Sequence, residues 1–107
     1  MEHFAIVVTS IHWDRLDQAY GRAVAIFPKG SVTEPVTSPI NGYKSFMVGT
    51  NGSKEGWAES GEGYRLREMF IKYLDSFSYP DGSNGVRYVE VVYGCDDKRR
   101  PRIGDYN

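Results

Sequence analysis

Reactive side chains are scarce in this chain of 107 residues, which has one cysteine and two histidines. A lone thiol excludes an internal disulfide framework and a multi-cysteine zinc site. His3, His12 and Cys95 show no metal-ligand spacing of the Cys-x-x-Cys or His-x-x-x-His kind. No metal and no cofactor are therefore expected. No apolar run approaches the ~18 residues that a membrane span requires. Charge of one sign is also missing. Thirteen Lys and Arg face fourteen Asp and Glu, for a net charge of −1. That balance argues against a whole-surface nucleic-acid binder. The start, Met1-Glu2-His3-Phe4-Ala5-Ile6-Val7-Val8, has no basic leader followed by a long apolar core. With a single thiol, it leads us to expect a complete small cytoplasmic product.

Aromatic residues, by contrast, are plentiful: eight Tyr, five Phe and two Trp. Each buried ring removes roughly 150–250 Å² from water, enough to build a core in one ordinary domain. Residues 4–9 read as a first strand that is apolar on both faces, with Phe4, Ile6 and Val8 on one side and Ala5, Val7 and Thr9 on the other. Trp13, Leu16, Tyr20, Ala23 and Phe27 then recur at helical spacing, and Pro28 and Gly30 end the helix. Residues 31–38 form the second strand. Pro35 cannot donate to a ladder, so this strand belongs at an edge. Asn41-Gly42 signals a turn into a third strand over residues 43–50, with Phe46 and Val48 facing the core.

Residues 51–63 hold four glycines and read as a break, with Ser60 as N-cap of a second helix. Leu66, Phe70, Tyr73, Leu74 and Phe77 form that helix's apolar face. Arg65, Arg67, Glu68, Lys72 and Asp75 form its polar side. Residues 86–93 are the last strand, with Val89, Val91 and Tyr93 opposite Tyr88, Glu90 and Val92. The expectation is one α/β domain over residues 1–95 and a polar, basic tail over 96–107. The order βαββαβ implies a ferredoxin-like α+β sandwich: a four-stranded antiparallel sheet with two helices on one face. Such a sheet leaves its second face open, and pairing of that face with a second copy predicts a homodimer.

No catalytic constellation emerges. His12 beside Trp13 and Asp14 is the most enzyme-like triplet, but neighbouring helical residues do not face one another. Asp96 and Asp97 make Cys95 a poor nucleophile. Glu55, Glu59 and Glu62 in the glycine-rich segment would repel a phosphate. Trp57 stands out there as a large apolar side chain in a polar segment. It is the expected partner anchor, flanked by Lys54, Glu55 and Glu59. Lys98, Arg99, Arg100 and Arg102 offer an alternative, a nucleic-acid contact through the tail.

Asn51-Gly52-Ser53-Lys54-Glu55-Gly56-Trp57 and Tyr88-Val89-Glu90-Val91-Val92-Tyr93-Gly94 resemble segments of small accessory proteins of phages and prophages. The resemblance implies a non-enzymatic protein that occupies a host or bacterial partner, as anti-CRISPR-type inhibitors of host defence do. CRISPR-associated nuclease-like folds share the βαββαβ order but place an Asp at the end of strand one. Val8-Thr9-Ser10-Ile11-His12 has none. The working expectation is a protein-binding inhibitor, with nucleic-acid binding through the tail or a small enzyme built on His12 as alternatives.

Overall fold

The apolar run from Phe4 to Val8 sets the first strand, β1, at Glu2–Ser10. A computed structural model describes residues 2–49, 58–94 and 100–107, with side chains left aside for residues 2, 58–62 and 93. After β1 come α1 (Trp13–Ile26), β2 (Val36–Thr37), β3 (Lys44–Val48), α2 (Ala58–Asp75), β4 (Arg87–Gly94) and β5 (Arg102–Tyr106). The strands form one antiparallel sheet in the order β2-β3-β1-β4-β5. Both helices contribute to one core with Ile6, Val8, Phe46, Val48 and Tyr88 of the sheet.

Five strands stand where four were expected. Residues 102–106, assigned to the tail, pair with β4. Without them the ladder groups on that side of β4 would lie on a bare edge. At the other edge β2 is only two residues long, because Pro35 precedes it, and Val32 reaches β3 through one isolated bridge to Val48. The turn between them uses Gly42 at φ +76, with the Ser38 amide donating to the Tyr43 carbonyl at 2.8 Å.

Three further expectations are corrected. Trp13 begins α1 but does not join the core. Its indole N–H donates to the Gly42 carbonyl at 2.7 Å, and α1 buries Leu16, Ala19 and Ala23 instead. The second helix begins at Ala58, inside the segment assigned as a break, and runs through Gly61 and Gly63. Packing of Phe70 and Leu74, both fully buried, outweighs the roughly 1 kcal/mol that each helical glycine costs. Arg67, placed on the solvent side of that helix, is buried. It lies over the Phe4 ring, 3.8 Å from its centroid.

The core is aromatic at its centre. Phe70 meets Phe27 edge-on at 5.5 Å and Phe46 at 6.4 Å, while Tyr20 meets Phe46 at 5.6 Å. At the end of β1 the buried Ser10 hydroxyl donates to the Gly85 carbonyl at 2.5 Å and accepts the His12 amide at 2.9 Å. This ties the start of α1 to the chain entering β4.

Candidate binding surface on the open sheet face

Residues that alternate with the core positions form the opposite face of the sheet. The register places Met47, Val7, Val89 and Tyr106 in one row across four strands. Ala5, Val91 and Ile103 form a second row. Ser45, Thr9 and Arg87 form a polar row beside them, with Val36 at its β2 end. Val7 keeps 37% of its surface, Met47 38%, Ile103 62% and Tyr106 68%. An open groove of about 510 Å³ runs over this face, with Val7 and Val89 on its floor and Tyr43 and Tyr106 among its walls.

A bulge builds half of this surface. Two steps along β4, Val89 to Val91, oppose three steps along β5, Tyr106 to Ile103. Ile103 and Tyr106 therefore share a face, although an odd spacing would place them on opposite sides of a regular strand. The end of β5 is held firmly. Arg87 donates from Nε and a terminal nitrogen to the Asn107 main-chain oxygen at 3.1 and 2.8 Å. The Asn107 side-chain amide accepts the Tyr88 N–H at 2.9 Å and donates to the Val86 carbonyl at 3.0 Å, extending the ladder with a side chain.

On the helix-covered side, the seam between α2, β4 and β5 is polar. Arg67 Nε lies 3.6 Å from Glu90 Oε2, an ion pair too long for a hydrogen bond. Burial raises the Glu90 carboxyl above its ordinary range, against the opposing pull of Arg67. Burial also raises Asp75, and the neighbouring Asp105 adds to it. Tyr88 is pushed well up by burial and by Asp75. Gly104 allows a close approach here: a Cβ on it would lie 2.5 Å from Glu90 Oε1 and 3.1 Å from Val92 Cγ2, so the Glu90 side chain would have to shift.

Of the residues singled out in the sequence, those that fall within the description, His12, Arg100 and Arg102, form no common site. Lys54, Glu55 and Trp57 lie outside the described residues, as do Cys95, Lys98 and Arg99. Glu59 falls in the first turn of α2, and its side chain lies outside the description. Arg100 and Arg102 are exposed, but Arg102 pairs with Val92 and so belongs to the helix side of the sheet. His12 is exposed at the N-cap of α1, makes no capping bond through its side chain, and meets Tyr79 edge-on at 6.4 Å. Among the described residues no group of three His, Cys, Asp or Glu could hold a metal ion. None of the described helices is long and apolar enough to cross a membrane. The open face itself was legible in the alternation of β1 and β4, but its β5 portion was not.

No family model matches the chain, and neither a curated protein nor a solved structure shows significant similarity to it.

Proposed function

We propose that this is a small non-enzymatic binding protein that acts by occupying the surface of a protein partner through its open sheet face. One observation carries the reading: an apolar row of Met47, Val7, Val89 and Tyr106 crosses four strands without a covering layer among the described residues. Contiguous apolar surface of this kind marks interaction sites, and tyrosine is a common anchor in them. The first four strands in the order β2-β3-β1-β4, with a helix after β1 and after β3, support a ferredoxin-like core to which β5 is added. Inhibition of a host defence or regulatory protein by a phage-encoded product is the form of this reading that the sequence resemblance supplies.

The test is quantitative capture of partners from a bacterial lysate by the intact chain and by Tyr106→Ala and Ile103→Asp variants. Loss of a specific partner in both variants, with unchanged thermal unfolding, supports the face. Retention of the partner in both, with loss in Trp57→Ala, moves the binding surface to the segment around Trp57. A second copy of the chain is the other occupant considered. Sedimentation at high micromolar concentration distinguishes it, since a dimer abolished by Ile103→Asp would assign the face to self-association.

A further inference from the structure

Arg67 occupies an environment that the open-face reading does not explain. Its side chain is 8% exposed. The guanidinium lies over the Phe4 ring at 3.8 Å and 5.4 Å from the Tyr64 centroid. Glu90, at 3.6 Å from Nε, is its ion-pair partner, and Glu68 and Tyr64 also favour its charge. The two terminal nitrogens carry four N–H groups, and buried donors of this kind are normally matched by an acceptor.

Two cavities adjoin this side chain, and they differ in character. One, of about 120 Å³, is also lined by Glu68, Glu90 and Asp105, and its acids disfavour an anion. The other, of about 60 Å³, is walled by Phe4, Ile6, Phe27 and Val48, with Ser31 as the second polar side chain besides Arg67. A single water needs only about 10–15 Å³, together with two to four polar partners. The cavity's walls are mostly apolar, with Arg67 and Ser31 supplying the polar side chains. They suit a molecule of a few heavy atoms with a short alkyl portion and one anionic group.

We propose that this second cavity is a binding site for a short-chain monocarboxylate, held by the Arg67 guanidinium with its alkyl portion against Phe27 and Val48. The planar carboxylate matches two parallel N–H groups of a guanidinium, and its single charge is less costly to desolvate than that of a phosphate. Glu90 is the competitor for Arg67 from within the chain. The site lies on the helix-covered side of the sheet and is independent of the open face.

Titration of the full chain with acetate, propionate and butyrate, followed by two-dimensional proton–nitrogen NMR, tests this, with propionamide as the neutral control. The expected result is saturable shifts confined to the Phe4, Ile6, Ser31 and Val48 amides and the Arg67 Nε–H, tighter for propionate than for acetate, and absent with propionamide. Arg67→Met should weaken binding by roughly tenfold or more, the scale of a lost charge-assisted hydrogen bond. Glu90→Gln should tighten it by removing the competing charge. Val48→Ile should abolish it by filling the cavity while leaving Arg67 in place. Should Arg67→Met not fold, the opposite responses of Glu90→Gln and Val48→Ile decide. Non-saturable shifts, equal shifts with propionamide, or binding unchanged by Val48→Ile would overturn the proposal.

Discussion

Ile6 and Val8 of β1 are wholly buried, whereas Val7 between them keeps 37% of its surface. Val92 of β4 is 1% exposed, while Val89 and Val91, two of its neighbours on the opposite side, are only half-buried. Both faces of the central strands are thus made of the same residue types, and only one is covered by helices. Residue type alone does not separate the core from the uncovered face here. What separates them is whether α1 and α2 lie above, and the uncovered face is where a partner can still gain the hydrophobic contribution that the covered face has already used.

Substitutions should separate the faces most clearly at Phe70. It is fully buried against Phe27 and Phe46, so Phe70→Ala should lower unfolding free energy by about 3–5 kcal/mol in denaturant titration. Gly104→Ala should cost about 1–3 kcal/mol, because the new methyl meets Glu90 and Val92 at the sheet–helix seam. A near-neutral result there would show that β5 is held less tightly than its close approach to Glu90 implies.

Acidity probes the same seam. Asp75 and Glu90 have native values raised above their ordinary 3.8 and 4.5. Groups raised in this way favour the folded state fully below their unfolded values and lose that contribution as pH rises through the native ones. Other carboxylates aside, these two make the protein less stable at neutral pH than just above pH 4. Asp75→Asn should reduce this slope, measured as melting temperature against pH, and an unchanged slope would place the effect elsewhere.

On the open face, Ile103→Ala should change stability by no more than about 0.5 kcal/mol, as for other exposed substitutions. A larger loss would mean that the face is covered in solution, in the first instance by a second copy. The smallest effect is kinetic. The amides of Val36 and Thr37 in the two-residue edge strand should exchange faster than those of Ile6 to Val8 in the sheet interior. Equal protection would mean that the edge has found a partner.

Much of this architecture was legible in residue spacing. Phe46 and Val48 on one side of β3, and Tyr88, Glu90 and Val92 on one side of β4, follow from a period of two. Pro35 marked the short edge strand. The failures have specific causes. Trp13 lies at helical spacing from Leu16, yet its indole N–H found an acceptor at Gly42, 29 residues away. Arg67 looks like any solvent-facing helical cation, but Phe4 and Glu90, from two different strands, enclose it. Residues 102–106 have no run of apolar residues and a glycine in the middle, so nothing local identifies them as a strand. They become one because β4 presents an edge to pair with.

The sequence by itself determined the two helices, the strands β1, β3 and β4, and the punctuation at Pro28, Pro35 and Gly42, because each rests on backbone preference or on contacts a few residues apart. Only the tertiary structure decided that β5 exists, that its bulge turns Ile103 and Tyr106 onto the same face as Val7, and that Arg67 is buried between two cavities. Each of these depends on groups brought together from distant parts of the chain, and the free energy of such contacts is not encoded in any local pattern.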